Sequence, residues 1–196
     1  MISLGGKALD LAAFEQIILQ QKEITISPSA VNAVAASYEF LEDFSRDKLI
    51  YGINTGFGPM AQYRIDDNDR RQLQYNLIRS HSSGMGQVLS PLNCRATMLA
   101  RLHTLLLGYS GIHPDMISLM TALINHDAYP CIYAHGGVGA SGDLVQLAHL
   151  ALGLIGEGDF WFKDEIVPAK TVFETLKLKP LEIYIREGLG TLNGTS

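Results

Sequence analysis

Apolar residues recur every three to four positions in several stretches of this chain, and that period predicts amphipathic helices. The first helix is expected over Leu11–Leu19, because Asp10 can cap its first turn. A second is expected to open at Ser27-Pro28, since proline is preorganised for the first helical position. Its predicted buried face consists of Val31, Val34, Tyr38 and Leu41. Later helices are predicted over residues 67–80, 91–108, 114–126 and 144–155.

Short strands and glycine-rich loops are predicted between these helices. Residues 23–27 alternate apolar and polar side chains, as in a small edge strand. Residues 160–167 are expected to form a hairpin that turns at Asp164-Glu165. Glycine-rich loops occupy residues 52–58, 80–86 and 136–142, and loops of this kind often carry chemistry. The whole pattern predicts a mainly α fold with a few short strands.

Composition and charge narrow the class of protein. With 196 residues, of which 47% are hydrophobic, the chain can bury the core of one domain. The net charge is -5 without a basic run, which argues against nucleic acid or an anionic membrane surface as partner. We find neither a signal peptide nor an apolar run long enough to span a membrane. Cys94 and Cys131 are isolated, as expected of free thiols in a reducing compartment, so a cytoplasmic protein is predicted.

A glycine-rich loop at residues 136–143 precedes the last of these predicted helices and therefore lies at the positive end of its dipole. Ser141 or Asp143 can cap the first turn. Residues 137–142 match the Gly-x-Gly-x-x-Gly fingerprint of dinucleotide-binding proteins. That fingerprint also needs an acid about 20 residues later, at the end of the next strand. The nearby acids instead precede the apolar run 160–162, so no nucleotide is expected.

Two other chemistries could use the same loop. A serine-nucleophile elbow fails, because Asp143 stands where its second glycine is required. The remaining possibility uses the backbone: the nitrogen of Gly142 attacks the carbonyl of Ala140, and one water is lost from that carbonyl and one from Ser141. The product is a ring with an exocyclic methylidene, an electrophile that no ordinary side chain supplies.

Residues 137–144, Gly-Val-Gly-Ala-Ser-Gly-Asp-Leu, resemble the signature of the aromatic amino-acid ammonia-lyases. The resemblance implies the cofactor of that family, 4-methylidene-imidazol-5-one (MIO), formed from Ala140, Ser141 and Gly142. It also implies that Asp143 assists ring closure.

Three further motifs carry the resemblance over residues 15–196. Tyr51, in the run Tyr-Gly-Ile-Asn-Thr-Gly-Phe-Gly, corresponds to the catalytic tyrosine of the family. Ser80-His81 occupies the pair that lines the pocket for the substrate ring. Asn193 corresponds to the asparagine that supports the MIO and the substrate. Gly190-Thr191 departs from the family pattern, which usually has an alanine and a bulkier apolar residue there, and this could loosen the support of Asn193.

The other histidines show no metal-ligand spacing, so no metal is expected. These are His103, His113, His126, His135 and His149. Because His149 lies on an apolar helix, we predict a core histidine with a satisfied hydrogen-bond partner.

The resemblance also implies the surrounding architecture. In the family, long helices beyond residue 196 form a central bundle, subunits associate as homotetramers, and several subunits contribute to each active site. Residues 1–196 are therefore expected to form the N-terminal, MIO-bearing domain, without the C-terminal part of the long helical bundle. The motif-like ending is typical of an interior segment, and such a fragment is expected to be inactive alone.

The implied reaction is the non-oxidative elimination of ammonia from a small aromatic amino acid. A Ser-His pair is the arrangement of histidine-using members, which favours conversion of L-histidine to urocanate. Conversion of L-tyrosine to p-coumarate stays open, since the imidazole of His81 can also hydrogen-bond a phenol. An MIO-dependent aminomutase is a further alternative. The alternative from another class is a noncatalytic truncated remnant whose loop does not cyclise.

Overall fold

The structure is a computed structural model that describes residues 1–139 and 142–193. These residues form a mainly helical fold with a few short strands, which confirms the predicted fold class. In chain order the elements are β1 (Ile2–Leu4), α1 (Leu11–Leu19), β2 (Ile24–Ile26), α2 (Pro28–Phe44), a 3-10 turn (Gly58–Met60), α3 (Asp67–His81), β3 (Met85–Val88), α4 (Pro91–Leu105), α5 (Pro114–Asn125), β4 (Ala128–Pro130), β5 (Tyr133–His135), α6 (Leu144–Leu154), β6 (Asp159–Phe162), β7 (Glu165–Pro168), α7 (Ala169–Leu176) and α8 (Glu187–Leu192).

Local sequence signals determine where several helices begin. The side chains of Asp10, Ser27 and Ser90 each accept a hydrogen bond from the backbone nitrogen three residues later, at 2.7, 3.3 and 3.3 Å. Proline is the first residue of α2, α4 and α5. A side-chain cap satisfies one of the backbone donors that a helix start leaves unpaired, so these starts are encoded locally.

The buried face of α2 differs from the prediction. Val31 is 37% exposed, and the fully buried residues of this helix are Ala30 and Val34. A Cβ atom added at Gly5 would overlap the Cβ of Ala30, so the helix meets the backbone of the preceding segment at this small residue. That close approach turns Val31 outward, and the assignment of Val31 to the buried face was wrong.

Helices α4 and α5 supply much of the core, as their apolar spacing predicted. Their fully buried side chains include Met98, Leu99, Leu102, Leu105, Met116, Met120 and Leu123. Helix α6 packs against α3 and α8, and α3 also contacts α8. These three helices form the support for the candidate site described below.

Three small sheets complete the fold. Strands β1 and β2 are parallel, and β6 lies between β4 and β7 and is antiparallel to both. The predicted hairpin is present as β6 and β7, but it turns at Lys163-Asp164 and not at Asp164-Glu165, because Glu165 pairs with Phe162. Strands β3 and β5 form an antiparallel pair, with Met85 opposite His135 and Val88 opposite Tyr133. No helix within the described residues is long and apolar enough to cross a membrane.

Candidate active site

Tyr51 is exposed at the start of a loop whose next five residues, 52–56, are buried. Its side chain is 54% exposed, its ring stands edge-on to Phe57, and its hydroxyl accepts a long 3.5 Å hydrogen bond from the Gly58 nitrogen. Asn54, by contrast, is completely buried. Its amide accepts from the Ile50 nitrogen at 2.7 Å and donates to the carbonyls of residues 45 and 48 at 2.9 and 2.5 Å. The loop is thus organised by Asn54, which leaves Tyr51 at the surface.

Gln74, on α3, joins this loop to α8. Its nitrogen donates to the Gly52 carbonyl at 3.0 Å, and its oxygen accepts from the Leu189 nitrogen at 3.0 Å. A Cβ atom added at Gly52 would overlap the side chain of Leu189, and one at Gly188 would lie 2.7 Å from the Gln74 oxygen. The Tyr51 motif and the Asn193 motif, more than a hundred positions apart in the sequence, therefore meet at one buried side chain.

Asn193 ends α8, and the side chain of Arg101 binds the last carbonyls of this helix. Its backbone nitrogen donates to the Leu189 carbonyl at 3.1 Å. The guanidinium of Arg101 donates to the carbonyl of Asn193 at 2.9 Å and also to the carbonyl of Gly190. A positive charge at this end complements the helix dipole and its unpaired carbonyls.

Gly190 and Thr191, which differ from the usual residues of the family, are compatible with the packing of α8. A Cβ atom at Gly190 would lie only 2.6 Å from a methyl carbon of Ile112, so an alanine would not fit without a shift. Thr191 is completely buried, and its hydroxyl donates to the Glu187 carbonyl at 2.6 Å. The two unusual residues are thus accommodated inside α8.

Ser80 and His81 are the last two residues of α3. The Ser80 hydroxyl donates to the Leu77 carbonyl at 3.1 Å, and Nδ1 of His81 lies 2.9 Å from the same carbonyl. Because a carbonyl only accepts, Nδ1 carries a proton, and in the neutral tautomer with that proton Nε2 is an acceptor. His81 follows Gln74 by seven residues, which places it on the same helical face, about 10 Å along the axis.

A buried histidine and a strand pair connect this helix end to the glycine-rich loop. Nε2 of His149 accepts a 2.9 Å hydrogen bond from the Gly84 nitrogen, and burial lowers the pKa of this imidazole below 6.5. The predicted core histidine with a satisfied partner is therefore confirmed. Strand β3 begins four residues after His81, and β5 ends immediately before Gly136. A Cβ atom added at Gly136 would lie 3.1 Å from the Cα of Gly84, so the two loops are in contact.

Of the predicted MIO tripeptide, Ala140 and Ser141 lie outside the described residues. Gly142 adopts a φ of +92°, a left-handed conformation that favours glycine. Asp143 occupies the N-cap position of α6, but in the described part of the chain its side chain makes no capping hydrogen bond. Its carboxylate instead faces the loop, since a Cβ atom at Gly137 would lie 3.1 Å from Oδ1. Of the two predicted caps, Asp143 does not bond to the first turn, because its carboxylate is turned towards the glycines, and Ser141 lies outside the described residues.

Comparison with known proteins places this site in a family. Residues 9–196 match the sequence profile of the aromatic amino acid lyases. The chain belongs to the aromatic amino acid lyase family. It is 39% identical to the histidine ammonia-lyase of Shouchella clausii over 196 residues, which are 100% of this chain and 39% of that protein. The chain thus spans about two fifths of the length of the curated relatives it matches, and it corresponds to their N-terminal part.

Solved structures of the lyase family share the fold. The phenylalanine aminomutase of Pantoea agglomerans superposes with a TM-score of 0.91 at 31% identity, covering 100% of this chain and 37% of the other. The histidine ammonia-lyase of Trypanosoma cruzi superposes with a TM-score of 0.89 at 32% identity, covering 99% and 37%. Likeness at this level extends to an aminomutase and an ammonia-lyase, so the fold alone does not select the reaction or the substrate.

A cavity of about 240 Å³ lies beside the helix end of this lyase-family chain, lined in part by Ser82, Gly84, Tyr133 and His149. Cys131 also lines it, but burial, with smaller contributions from Cys94 and Asp159, raises the pKa of its thiol to about 12. The thiol is therefore protonated and a poor nucleophile at neutral pH. Within residues 1–139 and 142–193, no cluster of three or more His, Cys, Asp or Glu side chains is arranged to hold a metal.

Sequence reasoning missed Asn54, Gln74, Arg101 and Glu187. Glu187 is completely buried and accepts hydrogen bonds from the backbone nitrogens of His113, Tyr184 and Ile185, at 2.9, 2.7 and 3.0 Å. Buried polar side chains of this kind pair with backbone groups from distant segments. For Gln74 the available signal was glycine, which often marks a close approach of backbone: Gly188 faces Gln74, and Gly52 faces Leu189.

Proposed function

We propose that this chain is the MIO-bearing part of an aromatic amino-acid ammonia-lyase that converts L-histidine to urocanate and ammonia. The observation that carries the proposal is the Ser80-His81 pair at the end of α3, joined through β3 and β5 to the glycine-rich loop. The histidine ammonia-lyases related at 39–41% identity support histidine as the substrate.

The residues around the loop fit a cyclised backbone. Gly142 already holds a left-handed φ, and Gly137 leaves no room for a Cβ beside the Asp143 carboxylate. Oε1 of Gln146 is buried without a hydrogen-bond partner among the described residues, so it can accept from a group in the loop. The MIO formed from Ala140, Ser141 and Gly142 would supply the electrophile, and Asp143 would assist its closure. The positive end of α6 would favour negative charge there.

The net reaction breaks the bond from Cα to nitrogen and removes one proton from Cβ. A double bond forms between these carbons, and the proton and the ammonia leave together as ammonium. We assign removal of the Cβ proton to the phenolic oxygen of Tyr51, whose exposed side chain stands at the start of a glycine-containing loop. Nε2 of His81 is free to accept from the ring N–H of a histidine substrate, with Ser80 beside it. Asn193 supports the substrate and the modified loop.

Other parts of the site are assigned outside residues 1–196. We propose that the complete protein is a cytoplasmic homotetramer and that residues beyond this stretch bind the substrate carboxylate. No nucleic acid, membrane, metal or nucleotide enters this proposal.

The proposal is tested on the complete protein that contains residues 1–196. We expect its intact mass to fall short of the encoded mass by two waters, and Ser141→Ala to abolish both this deficit and the activity. Incubation with L-histidine should produce urocanate absorbance faster than L-tyrosine produces p-coumarate. A mass without the deficit would support the noncatalytic alternative, while a β-amino acid product would indicate an aminomutase, the activity named for the similar Pantoea structure.

A further inference from the structure

We propose that Gln74 is a positioning residue whose side-chain amide couples the loop carrying Tyr51 to the helix ending at Asn193. This inference rests on the proposed function, which assigns both residues to one active site. The amide lies against the backbone at Gly52 and Leu189, so Gln74 acts through these two segments.

The two hydrogen bonds of Gln74 determine the orientation of its amide. The Gly52 carbonyl only accepts and the Leu189 nitrogen only donates, so the amide nitrogen must face the loop and its oxygen must face α8. The side chain is 1% exposed, and water therefore cannot replace either partner without rearrangement. A side chain with only donors, only acceptors or no polar atom cannot satisfy both sides.

Both contacts lie close to the residues they would position. Gly52 directly follows Tyr51 in the chain. Leu189 is one helical turn before Asn193, and its carbonyl accepts from the Asn193 nitrogen at 3.1 Å. Gly52 and Gly188 have no side chain at the two points where a Cβ atom would collide with Leu189 and with Gln74. A change at Gln74 would therefore move both segments by a short path, and displacements of about 1 Å can cost about 100-fold in rate.

The experiment compares Gln74→Met, Gln74→Asn and the control Gln72→Met in the complete protein. Methionine fills a similar volume without either hydrogen bond, and asparagine keeps the amide but is one methylene too short to reach both partners. Gln72 is exposed on the same helix and donates to Asn76 at 2.8 Å. We expect both Gln74 variants to retain the loss of two waters and to lower kcat by about 10- to 100-fold, with a smaller change in KM. The isotope effect with Cβ-deuterated histidine should rise, because proton removal becomes slower. Gln72→Met should match the wild type.

Hydrogen exchange gives a readout that does not depend on activity. The Leu189 amide, which donates to Gln74, should be protected in the wild type and should exchange at least about tenfold faster in Gln74→Met. An unchanged kcat, a fall shared by Gln72→Met, or a loss of stability with full kcat in the remaining folded protein would overturn the coupling. A wild type that deaminates no aromatic amino acid would defeat the proposed lyase function instead. In that case the hydrogen-exchange rate of the Leu189 amide alone decides whether Gln74 joins the two segments.

Discussion

Replacement of Gly52 by alanine tests how closely the Tyr51 loop packs against α8. Gly52 has a φ of +73°, and an added Cβ would overlap Cδ2 of Leu189 and lie 3.4 Å from the Phe57 ring. The left-handed backbone alone costs a non-glycine residue about 1–2 kcal/mol. Overpacking against a buried leucine adds about 1–3 kcal/mol. We therefore expect Gly52→Ala to lower the free energy of unfolding by about 2–5 kcal/mol.

The same loop provides a matched control. Gly58 has a φ of +54°, and among the described residues nothing lies within 4 Å of an added Cβ. Gly58→Ala should therefore show only the backbone cost of about 1–2 kcal/mol. Urea unfolding of both variants, followed by circular dichroism at one protein concentration, measures the difference. Leu189→Ala should partly relieve the clash, so the double variant with Gly52→Ala should be less destabilised than the sum of the single variants. Equal costs at residues 52 and 58, together with strict additivity at Leu189, would refute the contact.

Three further predictions concern buried polar groups. Asn54→Ala should lower the free energy of unfolding by about 3 kcal/mol or more, because a completely buried side chain loses three hydrogen bonds. The exposed Asn76→Ala should cost less than about 1 kcal/mol in the same urea assay. Glu187→Gln should cost about 1.5–3 kcal/mol, since the amide nitrogen that replaces one carboxylate oxygen cannot accept from the backbone donors of that oxygen, and the negative charge is lost. An effect no larger than that of the exposed Glu182→Gln would contradict this. The pKa of His149 is below 6.5 in the folded state, so its contribution to stability is complete above pH 6.5 and is lost as the pH falls further, because the unfolded chain then binds a proton that the folded chain does not. Unfolding at about pH 7.5 and about pH 5.5 should show this loss, which His149→Gln should reduce and the exposed His126→Gln should not.

Helix starts were predictable because their determinants are local. Asp10, Ser27 and Ser90 accept from nitrogens only three residues away, and the prolines of α2, α4 and α5 favour helical φ by themselves. The same applies to the hairpin of β6 and β7, whose strands are neighbours in the chain. By contrast, the buried face of α2 depends on contact with Gly5, and a pattern within the helix contains no information about that partner.

In the candidate site, too, local motifs were visible in the sequence and contacts between distant segments were not. Motifs placed Tyr51, Ser80, His81, Asp143 and Asn193 on loops and helix ends, but their roles remain proposals. In the sequence, Gln74 does not differ from the other polar residues of α3. In the structure it is buried and bonded to Leu189, which lies 115 positions later. Within the sequence, nothing beside Gln74 indicates such a partner. Long-range pairing of this kind had to come from the tertiary structure.

The pairing of β3 with β5 has a consequence for how binding preference could diverge on this scaffold. Main-chain hydrogen bonds join the segment after His81 to the segment before Gly136, and such bonds are nearly indifferent to side-chain identity. If residues 80 and 81 select the substrate ring, as proposed above, they can be exchanged while the β3–β5 ladder keeps the glycine-rich loop in place. Under the proposed function, the pair that recognises the substrate and the loop that reacts with it are held by the same strand pair, and each can change without the other.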